Sequence, residues 1–162
     1  MADEQQAASN NQPQQQFAMQ RIYTKDLSFE SPATPEIFRE QWEPSVNVDL
    51  NTSSKAVDDQ GNFEVVLRIT ITTKLGEQTA YLVEVQQAGI FRVAGFESED
   101  LRRILGTAAP NILFPYAREN IDSLCSRGGF PALMLAPVNF DALYQQAMAQ
   151  AQQGQADEAA TH

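Results

Sequence analysis

Four segments of the chain alternate apolar and polar side chains with a period of two residues, which is typical of strands with one buried face. The clearest runs from Phe63 to Thr72, where every second residue is a large apolar one. The other three segments are Phe17 to Glu30, Val46 to Thr52, and a stretch from Tyr81 towards Phe91. Because short turn sequences separate several of these segments, we predict an antiparallel sheet with one apolar and one polar face.

The acidic residues of the first and fourth segments share one parity. Phe17, Met19, Tyr23, Leu27 and Phe29 share one parity, with Ile22 as the exception. The opposite parity contains Asp26 and Glu30 in the first segment and Leu82 and Glu84 in the fourth. If the two strands are neighbours, a leucine lies among three carboxylates on the polar face. A merely solvated surface is the alternative interpretation.

The C-terminal third supplies helices to cover the apolar face. Apolar residues recur at helical spacing from Asn111 to Arg127, and Gly128 and Gly129 close that helix. Pro115 lies inside the pattern, so a start at Pro115 is an alternative. A shorter helix is predicted from Glu99 to Leu105, a last one after the capping residue Asn139, and a helical turn from Pro35 to Gln41. The fold class is therefore α+β, with a four-stranded antiparallel sheet followed by C-terminal helices.

The chain divides into one folded unit and two polar ends. Residues 1–16 are rich in Gln and Asn without periodicity, and the tail at 152–162 has a similar composition, so both are predicted to be disordered. Residues 17–151 form a single domain. The N-terminal segment lacks the basic start and apolar run of a signal peptide, and no apolar stretch reaches membrane-spanning length. We therefore expect a cytoplasmic protein that does not insert into a membrane.

The amino-acid composition argues against several classes of function. The net charge of −10, from 11 basic and 21 acidic residues, disfavours nucleic acid as a partner. The single histidine is His162, the last residue, which disfavours histidine-dependent catalysis and zinc binding. Cys125 falls on the apolar side of the long helix and is interpreted as a core residue. The expectation is a protein without catalytic residues, cofactor or metal.

Five aromatic residues lie near predicted element ends or loops, where core packing uses aromatics less densely. These residues are Trp42, Phe91, Phe96, Phe114 and Phe130. Membership of the core is the default interpretation of each one. Together they are predicted to line an apolar groove. A carrier of a small apolar ligand, or an enzyme built on the same α+β scaffold, stays open as an alternative.

Several long motifs in order resemble one protein family. They include Q-R-I-Y-T-K-D at 20–26, E-V-Q-Q-A-G-I-F at 84–91, P-N-I-L-F-P-Y-A-R-E at 110–119 and L-A-P-V-N-F-D-A-L at 135–143. The chain from about Phe17 to Tyr144 resembles SecB, the family of bacterial protein-export chaperones. One departure is mild: where the family has two glycines before I-F, this chain has Ala88 and Gly89.

The resemblance implies an ATP-independent holdase that keeps unfolded secretory precursors competent for translocation and delivers them to the SecA motor. It implies a homotetramer, arranged as a dimer of dimers, with the long helix in its interior. SecA contact would fall on Asp26, Glu30, Leu82 and Glu84, with a smaller contact at the last helix. The five aromatic residues would bind clients, and Val83, Val85 and Gln87 would belong to the oligomer interface.

Overall fold

The structure, a computed structural model, describes residues 13–160 and has the expected α+β architecture. Four antiparallel strands form one sheet in the spatial order β1-β4-β3-β2, so β1 and β2 are its edges. The strands are β1 (Gln16–Glu30), β2 (Ser45–Ala56), β3 (Asn62–Leu75) and β4 (Gln78–Ala94). The helices are α1 (Ser98–Gly106), α2 (Ala108–Arg127) and α3 (Phe140–Ala160). A short 3₁₀ turn at Glu36–Arg39 confirms the helical turn expected before β2.

Helix α2 covers one face of the sheet, which we call the covered face; the opposite one is the open face. Leu113, Ala117, Ile121 and Cys125, four residues apart along α2, are all fully buried. They pack with alternate residues of β3 and β4, including Leu67, Ile69 and Val85, to form the core. Burial raises the pKa of the Cys125 thiol, in agreement with its interpretation as a core residue.

Strand β1 contains two irregularities that the period-two pattern did not predict. Its register with β4 shifts between Met19 and Arg21, and again between Thr24 and Asp26. One extra residue in a strand moves the following side chains to the other face. The shared parity predicted for Tyr23 is therefore wrong: Tyr23 lies on the open face, where its hydroxyl donates a hydrogen bond to Glu64. Ile22, the predicted exception, pairs with Gly89 on the covered face.

The helix boundaries differ from the prediction at two places. Helix α2 begins at Ala108, so neither Asn111 nor Pro115 is its start, and Pro115 lies inside the helix on an exposed side. Exposure lets water satisfy the carbonyl that loses its partner at a proline. The predicted cap is confirmed, because the Gly128 N–H donates to the Leu124 carbonyl at 2.8 Å and Gly129 has a φ of 85°.

The last helix begins as predicted and ends later. The Ala142 N–H donates to the side-chain oxygen of Asn139 at 3.0 Å, which confirms the cap. Helix α3 then continues to Ala160, so the disorder predicted from residue 152 onward is wrong up to that residue. Alanine and glutamine, which dominate this stretch, are good helix formers even without packing. Residues 1–12 and 161–162, and with them His162, lie outside the described residues.

The helix layer is narrower than the sheet. Phe17, Met19 and Leu27 of β1 pair with covered-face residues of β4, yet they are 36%, 41% and 42% exposed. At the other edge, Val46 and Val48 of β2 are 39% and 43% exposed. The core is thus closed in the centre, and apolar side chains remain accessible along both edges of the covered face.

Candidate binding surfaces

The first surface is acidic and lies on the open face near the β3–β4 turn. Because β1 pairs with β4, Glu30 stands directly opposite Leu82 and Ser28 opposite Glu84, while Asp26 stands opposite Gln86. Asp26 and Glu30 are exposed, and Leu82 and Glu84 are half-buried. The sheet therefore places Asp26, Glu30, Leu82 and Glu84 together, as the parity argument required, and we call this group the acidic end.

The three carboxylates of the acidic end are not equivalent. The Nε atom of Arg68 lies 3.7 Å from an Oε atom of Glu84, and the Thr70 hydroxyl donates to Glu84 at 3.3 Å. Within residues 13–160, no ion pair joins Asp26 or Glu30 to another side chain. Asp26 and Glu30 thus offer their full negative charge to solvent, and Glu84 shares its charge with Arg68.

The second surface is a cluster of aromatic rings around Phe130, directly after the end of α2. The ring centroid of Phe130 lies 5.0 Å from Tyr81, 5.1 Å from Phe38, 5.6 Å from Trp42 and 6.3 Å from Phe29. The rings meet at tilted angles, as aromatic pairs prefer. Phe130 is 6% exposed, whereas Phe38 is 51% exposed and forms the outer rim. We call these five residues the aromatic cluster.

Only Trp42 and Phe130 of the five predicted groove residues belong to the aromatic cluster. Phe91 is fully buried and stacks on Phe17 at 5.8 Å, because its parity in β4 directs it to the covered face. Phe114 is buried against Phe140 at 6.1 Å, and Phe96 packs partly buried against the core. Within the single subunit the five residues therefore do not share one surface, and their joint role in client binding stays a prediction.

Three members of the aromatic cluster, Phe29, Phe38 and Tyr81, were missing from the prediction, although Tyr81 shares the apolar parity of Val83 and Val85. The parity of Phe29 had already placed it on the apolar face, and Phe38 lies in the turn predicted from Pro35 to Gln41. Neither signal shows that these rings converge on Phe130, since that contact joins segments about a hundred residues apart. Long-range packing of this kind is not encoded in local periodicity.

The three predicted interface residues are buried inside the subunit. Val83, Val85 and Gln87 are at most 3% exposed beneath α2. The Gln87 side chain donates to the Tyr23 carbonyl at 3.0 Å and accepts from the Asn120 amide at 2.9 Å. The three residues therefore present no surface of their own in the single subunit, and their place in the oligomer interface stays a prediction. Their contacts fix the position of α2 relative to β1 and β4.

A third surface is an apolar recess between β2, α1 and α3. It has a volume of about 390 Å³ and is lined by residues that include Leu50, Leu105, Phe140, Leu143 and Tyr144. Gly106 permits the closure of this region, because a Cβ atom there would lie 2.8 Å from the Tyr144 ring. The last helix is thereby seated on α1, next to the accessible edge of β2.

Between residues 13 and 160, no group of three or more His, Cys, Asp and Glu side chains is arranged to hold a metal ion. None of the described helices combines the length and the apolar character that crossing a membrane requires.

The fold and these surfaces define an α+β binding protein that offers apolar and charged surface to partners. The family model described as preprotein translocase subunit SecB matches residues 10–151. The chain therefore belongs to the SecB family, which is a family of chaperones and not of enzymes.

Relatives agree with this membership, and a solved structure agrees with the fold. The chain is 57% identical to the protein-export protein SecB of Marinobacter nauticus over 166 aligned residues, which cover 100% of both chains. It is 58% identical to that of Stutzerimonas stutzeri, covering 90% of this chain and 88% of the relative. The SecB-like chaperone of Mycobacterium tuberculosis, solved with a peptide from the HigA1 antitoxin, superposes with a TM-score of 0.64. That structure is 17% identical, covers 76% of this chain and 91% of its own, and supports the fold.

Proposed function

We propose that this protein is an ATP-independent holdase, which binds unfolded secretory precursors in the cytoplasm and delivers them to the SecA motor. Membership of the SecB family supports the chaperone class. The observation that carries the proposal is the set of apolar side chains left exposed by the helices, which include Phe38 of the aromatic cluster and Val46 and Val48 on β2.

This surface suits an unfolded chain because it makes few demands on sequence. An unfolded client exposes apolar side chains and unpaired backbone groups together. The outer edge of β2 has no neighbouring strand within the sheet, so its backbone can pair with an extended segment. The rings of Phe38 and Trp42 and the recess around Leu143 bury apolar side chains at ~25 cal/mol per Å². Each segment binds weakly, and several sites in an oligomer raise the overall affinity.

The opposite edge of the sheet supports assembly into a dimer of dimers. Phe17, Met19 and Leu27 give β1 an exposed apolar border beside its unpaired outer edge. Pairing of two β1 edges buries that border and removes an edge that otherwise invites aggregation. In the proposed tetramer α2 forms the interior, and Val83, Val85 and Gln87 support assembly from beneath by holding α2 in place.

The acidic end is the proposed docking site for SecA. A basic segment of SecA is attracted by Asp26 and Glu30, and Leu82, which stands opposite Glu30, adds an apolar contact. The charges stand on an open surface, so added salt screens the attraction, with a Debye length of about 8 Å at physiological ionic strength. Docking on the open face leaves the aromatic cluster and the β2 edge free for a client.

A carrier of a small apolar ligand is the second candidate, because the recess between β2, α1 and α3 is apolar and about 390 Å³ in volume. The two functions differ in stoichiometry. A carrier binds one small molecule in each subunit, whereas a holdase binds one long chain on each oligomer.

The holdase function predicts slower refolding of a client. A slow-folding precursor is diluted from urea without nucleotide, and its native activity is followed with and without the protein. We expect the wild-type protein to hold the precursor in an unfolded state. Phe38→Ala is expected to weaken holding about fivefold, since half of a buried phenylalanine is worth ~1 kcal/mol.

Val57→Ala is the matched control, because Val57 is 52% exposed but lies in the β2–β3 turn, outside the aromatic cluster. It is expected to hold the precursor as well as the wild type does. A precursor that refolds at one rate with and without the protein would contradict the holdase function.

A further inference from the structure

The open face is divided by charge into two ends. Beyond the acidic end, towards the β2–β3 turn, it carries four cationic side chains, and a fifth, Arg68, lies opposite Gln86 in the same row as Asp26. Cross-strand pairing places Arg21, Glu64 and Lys55 in one row across the sheet, linked through Ile90 of β4. Arg92 lies in the adjacent row, beside the turn. We call Arg21, Lys25, Lys55, Arg68 and Arg92 the basic end.

Three of these cations surround a recess on the open face. The recess has a volume of about 400 Å³, and Lys25, Lys55 and Arg68 line it together with Val66 and Gln86. The remaining lining residues are mainly polar: Asn51, Ser53, Ser54 and Glu64. Amide and hydroxyl donors beside ammonium and guanidinium groups form a site for carboxylates rather than for apolar groups.

Glu64 organises the basic end without neutralising it. Its carboxylate lies 2.8 Å from the Lys25 ammonium and 3.6 Å from that of Lys55, and it accepts a hydrogen bond from the Tyr23 hydroxyl. The hydrogen bond from Lys25 has the largest effect and that from Tyr23 the next, and together they hold the pKa of Glu64 below its usual range. The Lys25 and Lys55 side chains remain 40% and 69% exposed, so both still present positive charge to solvent. Glu64 pairs with Lys25 and Lys55, and Glu84 pairs with Arg68, so Arg21 and Arg92 are the two of these five cations without an ion pair among residues 13–160.

We propose that the basic end is a docking site for an acidic peptide segment, borne by a partner whose basic segment occupies the acidic end. Leu82 and Ile90 mark the two ends along β4, and eight residues of strand span about 27 Å. The partner is thus an extended segment with a block of acidic residues and a block of basic residues separated by roughly that length. The proposal rests on the function proposed above, which assigns the acidic end to a basic segment of the partner.

Charge complementarity favours a peptide segment as the occupant over a nucleic acid or a second copy of the chain. A nucleic acid carries uniform negative charge and would meet Asp26 and Glu30 next to the basic end, which opposes its binding. A permanent interface with a second copy of the chain is usually more apolar than a face dominated by charged and polar residues. A short peptide with both charge blocks satisfies both ends at once.

The test compares two labelled peptides of the same composition by fluorescence anisotropy at low salt. One has a block of glutamates, a glycine–serine linker and a block of lysines; the other alternates glutamate and lysine. We expect the block peptide to bind the full-length protein about tenfold more tightly. Arg21→Glu and, separately, Lys55→Glu are expected to abolish most of that difference. Arg102→Glu, an exposed residue of α1 with the same charge change, is the control and should keep it.

Every other outcome overturns the proposal. Equal affinity for the two peptides, or an unchanged difference in both Arg21→Glu and Lys55→Glu, would show that the basic end does not recognise an acidic segment. Tighter binding of a single-stranded oligonucleotide would assign the basic end to phosphates. A salt-sensitive doubling of the wild-type mass, lost in Lys55→Glu, would assign the open face to a second copy. Client holding is measured for the same variants to verify that they fold. It stays at the wild-type level if this proposal fails while the holdase function is correct.

Discussion

Phe130→Ala is expected to lower the free energy of unfolding by about 3–5 kcal/mol, the range for removing a buried phenylalanine ring. Phe130 is almost fully buried and contacts four other aromatic rings, which come from β1, β4, the 3₁₀ turn and the segment after it. Its removal leaves a cavity that these rings fill only in part. The measurement is denaturant unfolding followed by circular dichroism.

Phe38→Ala is the control for this prediction. Phe38 contacts the same ring but is half exposed, so its removal is expected to cost about 1 kcal/mol and to affect client holding more than stability. A loss below about 1 kcal/mol for Phe130→Ala would show that the aromatic cluster is not part of the packed structure.

The double variant Asp26→Lys, Glu30→Lys is expected to weaken SecA binding about 100-fold, or ~2.7 kcal/mol, at low salt. The two carboxylates are exposed and have no ion-pair partner among the described residues, so their reversal turns attraction into repulsion without removing an internal contact. Affinity for SecA is measured by isothermal titration calorimetry. Client holding is expected to be unchanged, because both residues are on the open face.

Asp59→Lys provides the matched charge change, since Asp59 is exposed in the β2–β3 turn, at the opposite end of the sheet. It should bind SecA as the wild type does. Equal loss of SecA binding and client holding in the double variant would contradict the separation of the two surfaces.

The sequence predicted the sheet and the acidic end for one physical reason. Period-two alternation reports which face a side chain occupies, and it was strong in β3, where Val65, Leu67, Ile69 and Ile71 are all fully buried. The same parity placed Asp26, Glu30, Leu82 and Glu84 on one face. The prediction of the acidic end required β1 and β4 to be neighbours, and the strand order has them side by side.

The two irregularities in β1 mark the limit of that reasoning. A bulge depends on how two strands pair and leaves no reliable trace in the alternation of one of them. Tyr23 was therefore assigned to the wrong face, and the network joining Tyr23, Lys25 and Glu64 was not foreseen. The basic end follows from the register and not from the sequence alone.

The grouping of the five aromatic residues does not match the subunit, for a different reason. Proximity to a loop does not distinguish an exposed ring from one that another element covers, so Phe91 and Phe114 were grouped with Trp42 although both are buried. Val83, Val85 and Gln87 likewise lie under α2. Their covering is a tertiary property, set by which helix crosses which strands.

The most direct test of the chaperone function is size-exclusion chromatography with light scattering, with and without a denatured precursor diluted from urea. Our account predicts a mass of four subunits that gains one unfolded precursor chain in the absence of nucleotide. A protein that elutes as a monomer and leaves the precursor unbound would contradict it.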